Sequence, residues 1–372
     1  MPPRIASVET FVARYPVTGR FRYLPACEGK PPTRDTVVVR IRDAAGGEGW
    51  GQSVPSPTWS YETLDTVRTT IDRHLGPALT GVDPTDPEAV ARVLDRVIAP
   101  SFSTGQPIAK AGIDLAVFDL NARRASRTAA QMWGRTGRRE ITLSWTVDAT
   151  TPAEAEATVA EARSRGFRNF NLKSGRDAAA DFAVAAEVRR LAPEAFIWAD
   201  ANGGYDLATA RGVARRFADL GLAALEQPLP ANHLTGYRDL HRDRALPILM
   251  DEGVVSLTDL REFHALGLLD GVAMKVSRCG GLTEAARLTA YLREHGLLFF
   301  ASGLTDPDLA FAASLQLLGA WDLPHPAALN APQYLSGSLL STPITVEGDR
   351  ALVPAGPGLG VEVDPALLAG LA

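Results

Sequence analysis

Lys173, Asp200, Glu226, Asp251 and Lys275 follow one another at steps of 27, 26, 25 and 24 residues, and each closes a short apolar run: FRNFNLK, FIWAD, LAALE, LPILMD and GVAMK. Three carboxylates brought to one point could hold a cation. Two of them about 4 Å apart repel by roughly 4 kcal/mol at an effective dielectric near 20. Three converging ones therefore demand protonation or a positive ion. The donors are Asp and Glu alone, with no His or Cys at these run ends, so hard oxygen ligation favours Mg2+, with Mn2+ able to substitute. The two lysines bracket the acids and would flank the cation, which lowers an ammonium pKa toward the range useful for a base. The chemistry is removal of a proton beside a carboxylate, giving an enediolate. Any one of these acids alone reads as a cap or an ion pair, and either lysine alone as a solvated side chain. The ordered set of five carries the reading.

A step of about 25 residues is the length of one strand, one loop and one returning helix. A right-handed series of such units closes into a parallel barrel whose strand tips share a mouth. Eight strands are expected, over 141–147, 169–173, 196–200, 222–226, 247–251, 271–275, 297–302 and 327–331. Thr151-Pro152-Ala153-Glu154 reads as a capping box with Pro at the first helical position. Asp206, Ser256 and Thr283 are comparable caps, and Gly166, Gly221, Gly267 and Gly296 are placed to end their helices.

Before the barrel the pattern differs. Residues 3–13 and 36–42 alternate as strands, and GGEGWGQ turns into another. From Ser60 to about Gly134 the periodicity is helical, so strands followed by helices suggest a separate α+β unit. The loops 16–34 and 53–61, with Phe21, Tyr23, Trp59 and Tyr61, are candidate lids. The last stretch, from Ser336, reads as strands and turns returning to the N-terminal unit, with GPGLG among the turns. The expected division is 1–130 capping unit, 131–335 barrel and 336–372 returning tail.

Composition bounds the rest. With 372 residues, 46% hydrophobic and 22% charged, the chain fits a barrel of about 250 residues plus a second globular unit. A net charge of −5 offers no basic stripe for nucleic acid. Cys27 and Cys279 lie far apart without metal-ligand spacing, so a disulfide framework is not expected and a reducing, cytoplasmic setting is. No apolar run approaches the roughly 18 residues of a membrane span, and no signal peptide is expected.

The ordered motifs GEGWGQ, NLK, DAN, EQP, DEG and KVSRCGG resemble the muconate-lactonizing (muconate cycloisomerase) subgroup of the enolase superfamily, over essentially the whole chain. The resemblance implies a modified TIM (β/α)7β-type barrel of the α/β class, with an α+β capping domain formed by the N-terminal part and the C-terminal tail. It implies Mg2+ on Asp200, Glu226 and Asp251, Lys173 and Lys275 as acid/base residues, a small-molecule carboxylate substrate and a homo-oligomer. Asn202 matches the Asn of the family's DxN, near metal and substrate. Candidate substrate-binding residues are Asn171, Asn202, Tyr23, Trp59, Ser302 and Asp306. One departure stands out: the family commonly has Lys-x-Lys on the second strand, and this chain has Asn171-Leu172-Lys173. Asn171 could hydrogen-bond to Lys173 but cannot repel its charge. Asp306 and Asp308 precede a helix and read as N-caps, His325 as a loop residue, and Trp321 as lining the site or merely packing. The expected activity is an isomerase, by racemisation, epimerisation or cycloisomerisation, with a β-eliminating lyase as the alternative and a non-catalytic binding protein a remote one.

Overall fold

The computed structural model describes residues 3–24, 31–100 and 104–372; Cys27 and part of the first candidate lid lie outside them. The chain opens with an antiparallel meander of β1 (Ile5–Pro16), β2 (Thr33–Asp43) and β3 (Glu48–Ser53) in the order β1-β2-β3. The helix Pro107–Arg124 lies across it. The glycines of GEGWGQ explain how closely. A Cβ on Gly49 would overlap the carbonyl of Ala116, and one on Gly51 would overlap the carbonyl of Gly112. Gly112 in turn faces the Ser53 side chain. Strand and helix backbones therefore meet with no side chain between them. Asp119, from the same helix, accepts from the Trp50 N–H at 3.0 Å and from the Leu359 N–H at 2.8 Å. One buried carboxylate thus ties meander, helix and C-terminal tail together.

The barrel strands are β5 (Trp145–Val147), β6 (Phe170–Lys173), β7 (Ile197–Asp200), β8 (Leu225–Glu226), β9 (Ile248–Met250), β10 (Gly271–Met274) and β11 (Leu298–Ala301). They form one parallel sheet in sequence order. Helices return between them, capped by Thr151, Asp206 and Ser256 as expected. Glu154, however, reaches back to Thr150 instead of closing a box with Thr151. The cap of the helix Leu282–Glu294 is Gly281, not Thr283, whose N–H is taken by Asp114. Gly166, Gly221, Gly267 and Gly296 all take positive φ after their helices.

Two strand expectations change. Residues 141–147 do not run as one strand. Glu140–Thr142 (β4) pairs with the tail, and only Trp145–Val147 joins the barrel. The eighth position, 327–331, is no ladder: Ala327 and Ala328 bridge to Leu143 and Ser302 and close the ring, and Ala331–Tyr334 turns helical, with Pro332 supplying no donor for a ladder. Inside, Trp198 and Phe300 fill the barrel against Ala224, Leu249, Ala273 and Ala328. The tail forms β12 (Val346–Glu347) and β13 (Arg350–Leu352), which pair with each other and with β4. It then runs past Asp119 and Arg123 to place Leu371 O on the Arg14 N–H at 2.7 Å. GPGLG is a set of turns there, with Gly356, Gly358 and Gly360 at positive φ. No helix of the described residues is long and apolar enough to cross a membrane.

The contact between β3 and its helix is testable. Gly51→Ala should cost about 3 kcal/mol in denaturant unfolding, because the helix must shift to admit a methyl group. Gly212→Ala, at an exposed position of the helix Leu207–Asp219 where a Cβ meets nothing, should instead stabilise by about 0.5–1 kcal/mol. Equal effects of the two changes would refute the packing argument.

Candidate active site

Parallel register puts the candidate residues at one level. Lys173 is paired with Asp200, and Asp200 with Glu226, across β6, β7 and β8. Asp251 and Lys275 directly follow the last residues of β9 and β10. Alternation then places Asn171 below Lys173 and Trp198 below Asp200 on the same inward face. Carboxylate oxygens of Asp200, Glu226 and Asp251 all lie within 4.8 Å of one another, and all three residues are buried. The loops beyond these tips are fixed by Gln227, at φ 40°. Its side-chain oxygen accepts from the N–H groups of Asp251 (2.9 Å) and Gly253 (3.2 Å), and its amide donates to Tyr237 Oη (2.6 Å) and Leu229 O (3.1 Å). The Gln of EQP thus holds the DEG loop.

The charges are unevenly compensated. Lys173 donates to Asp200, while Lys275 and Arg278 both donate to Asp251. Burial opposes the charge of Asp251, yet those two cations outweigh it and hold the carboxyl below its usual range. Glu226 has no such partner. Its Oε2 accepts from the Trp198 indole N–H at 3.0 Å, and among the described residues its buried Oε1 has no hydrogen-bond partner. Burial, then the charges of Asp200 and Asp251, push its pKa well above the ordinary carboxylate range. Burial also works against the Lys173 ammonium, but Asp200 and Glu226 outweigh it and leave its pKa raised. A divalent cation fits here: the donors are carboxylate oxygens, all hard, from three converging acids, and one buried oxygen of Glu226 has no partner among the described residues.

Both candidate lids reach the site. The Tyr23 ring lies 5.6 Å from Lys173 Nζ, and the Trp59 ring lies 4.5 Å from Lys275 Nζ. Each ammonium therefore has an aromatic ring close by, within cation–π range. Next to Tyr23, Arg22 clamps the first loop to the barrel. Its side chain meets Asp148 at 2.7 Å and donates to the carbonyls of Ser174 (2.9 Å) and Lys173 (3.3 Å). Asn171, Asn202 and Ser302 also line the pocket. Asn202, at φ 44°, faces Lys173 Nζ at 3.5 Å and donates to Glu252 at 3.1 Å.

Other expectations fail. Asp306 is not on the pocket wall; it accepts from Ser277 Oγ and the Leu304 N–H, both at 3.1 Å, and braces the loop behind. Neither it nor Asp308 caps the following helix, whose cap is Pro307. Asp308 instead accepts from Tyr15, Ser338 and Leu339, joining barrel, meander and tail. Asn171 makes no hydrogen bond to Lys173, whose ammonium donates instead to Asp200 and faces Asn202. His325 is a loop residue as expected, stacked on Phe196 with 4.8 Å between centroids at the barrel end opposite the mouth. Of the two readings of Trp321 the packing one holds, between Trp133 and Arg135. Sequence reasoning missed Arg278, although it sits in KVSRCGG, and missed Trp198, two residues before Asp200 and hence on its face. Arg22, Thr146 and Asn330 carried no signal in the sequence; only the closed ring brings them together.

Comparison with known proteins agrees with this geometry. Residues 154–367 match the enolase C-terminal domain-like family, and residues 27–134 match the mandelate racemase/muconate lactonizing enzyme N-terminal domain. A chloromuconate cycloisomerase of Cupriavidus necator is 29% identical over 88% of this chain and 89% of its own. An o-succinylbenzoate synthase of Enterococcus faecalis is 27% identical over 96% and 95%. The crystal structure of 2-chloromuconate cycloisomerase from Rhodococcus opacus superposes with a TM-score of 0.89 at 26% identity, covering all of both chains. The chain belongs to the mandelate racemase/muconate lactonizing enzyme family of the enolase superfamily, a family of metal-dependent enzymes.

Proposed function

We propose that this enzyme is an isomerase that moves a proton at the carbon beside a substrate carboxylate, with Lys173 and Lys275 as the acid/base pair. The observation that carries the reading is the placement of the two lysines. They stand at the tips of β6 and β10, with β7, β8 and β9 and the acidic triad between them. In a ring of eight positions that is half a turn, so the two ammonium nitrogens address a bound substrate from opposite faces. One lysine, as the neutral amine, takes the α-proton; the other, as ammonium, delivers a proton to the opposite face, and the configuration inverts. The same pair serves a cycloisomerisation when one lysine alone exchanges the proton at the ring carbon and the other stays charged.

A divalent cation, Mg2+ in this reading, held by Asp200, Glu226 and Asp251 would supply positive charge against the charge developing on the substrate carboxylate and would take over the compensation that the lysines now give the triad. Tyr23 and Trp59 cover the lysines and exclude water from them. A small-molecule carboxylate substrate, a cytoplasmic homo-oligomer and a division into 1–130, 131–335 and 336–372 complete the reading. The named relatives support both an isomerase and, through the o-succinylbenzoate synthase, a lyase. Incubation in D2O with Mg2+ and a set of carboxylates separates them. Deuterium at the α-carbon without loss of a group marks the isomerase, and an unsaturated product with release of water marks the lyase.

Glu226→Gln should leave the metal-free protein at least as stable as the parent, because burial and its two acidic neighbours already disfavour a charge at that position. Mg2+ at a hundredfold its Kd should stabilise the parent by about 2.7 kcal/mol and the variant hardly at all. Thermal unfolding with Mg2+ or EDTA measures both; equal Mg2+ stabilisation of the two proteins would sink the triad as the metal site.

If the reaction is racemisation or epimerisation, Lys173→Ala and Lys275→Ala should each lower turnover by at least a thousandfold. Each variant should still exchange the α-proton of one enantiomer with solvent deuterium, and the two should choose opposite enantiomers. A single-lysine variant that exchanges both would remove the other lysine from the acid/base role.

A further inference from the structure

Below Lys173 the pocket floor is uncharged. Asn171 is 1% exposed and Asn330 is 6% exposed, and both line the cavity that holds the two lysine side chains. Among the described residues, the amide nitrogen of Asn171 and the amide oxygen of Asn330 have no hydrogen-bond partner. Asn330 donates its own amide hydrogen to Thr146 Oγ1 at 3.3 Å, which leaves its oxygen as the unused atom. Thr146 pairs with Asn171 across β5 and β6, so the three residues are neighbours below the level of Lys173. Gln333 locks this wall by grasping both main-chain groups of Thr146, accepting from its N–H at 3.0 Å and donating to its carbonyl at 2.8 Å.

From these orphaned atoms we infer that Asn171 and Asn330 form a neutral hydrogen-bonding subsite that selects an uncharged substrate group able both to donate and to accept, an amide or a hydroxyl, over a second carboxylate. The inference rests on the carboxylate-isomerase reading and specifies the other end of the same substrate. Buried polar atoms are normally paired, and a site built to hydrogen-bond a group rejects analogues that leave its atoms unpaired. Turning the Asn171 amide over exchanges its donor and acceptor but leaves the wall uncharged. Among the described residues, Lys173 and Lys275 are the only charged side chains on this cavity, and both face the triad. Arg22 is occupied by Asp148. A carboxylate pushed against the floor would lose water and meet no cation of its own.

Calorimetric titration of the Mg2+-loaded protein with hexanoate, adipate, adipic monoamide and ω-hydroxyhexanoate tests this. The monoamide or the hydroxy acid should bind at least tenfold more tightly than both hexanoate and adipate, and the order of those two tells amide from hydroxyl. Asn171→Leu and Asn330→Leu, checked for unchanged thermal unfolding, should each erase that advantage. Asn171→Lys should turn the preference toward adipate by at least tenfold. Adipate binding the parent as tightly as the monoamide, an unchanged order in the Lys variant, or no binding by any of the four would overturn the subsite. Selectivity without α-proton exchange in D2O would instead leave the subsite standing and refute the proton-transfer reading.

Discussion

Mutual repulsion among three buried carboxylates is the constraint around which this molecule is arranged. Asp200, Glu226 and Asp251 are held within reach of one another by strand register, where each is committed before any ligand arrives. Such a cluster survives only because positive groups stand next to it. Lys173, Lys275 and Arg278 supply that charge for two of the acids, and the third is left, among the described residues, with a single indole hydrogen bond. The unevenness is informative. A purely structural network would satisfy every oxygen, whereas this one leaves its central member short of a partner.

The surrounding architecture serves the same cluster. Alternation along β6 and β7 stacks Asn171 under Lys173 and Trp198 under Asp200, so the floor of the pocket and the donor to Glu226 come from the layer below the acids. Gln227 stiffens two consecutive loops at the mouth. The lids bring one aromatic ring to each lysine, which makes the capping unit a part of the chemical environment and not merely a cover.

Much of this was legible because it depends on short-range periodicity. The five tip residues, three of the four expected barrel-helix caps and the terminating glycines follow from one repeating unit, and a chain that repeats a unit announces its geometry. The misses share a different cause. Residues 141–147 look like a single strand because their propensity is uniform, but the partner of Glu140–Thr142 is the tail some two hundred residues later, and pairing decides where a strand ends. Asp306 and Asp308 look like caps because they precede a helix. They were instead drawn to Ser277 and Tyr15 by contacts distant in sequence. Arg22, Thr146 and Asn330 meet only when the ring closes, and nothing local to any of them records that meeting.

The clamp made by Arg22 has a consequence for how such a protein can change. Two of its contacts are main-chain carbonyls, those of Lys173 and Ser174, and every amino acid at those positions would offer the same oxygen. Apart from the ion pair with Asp148, the lid is thus fastened to the barrel at points blind to side-chain identity. Substitutions at the strand tip can alter what the enzyme accepts without loosening the cover, and the cover can drift without disturbing the acids. Diversification of substrate and retention of a closed chamber are, through that one guanidinium, largely independent.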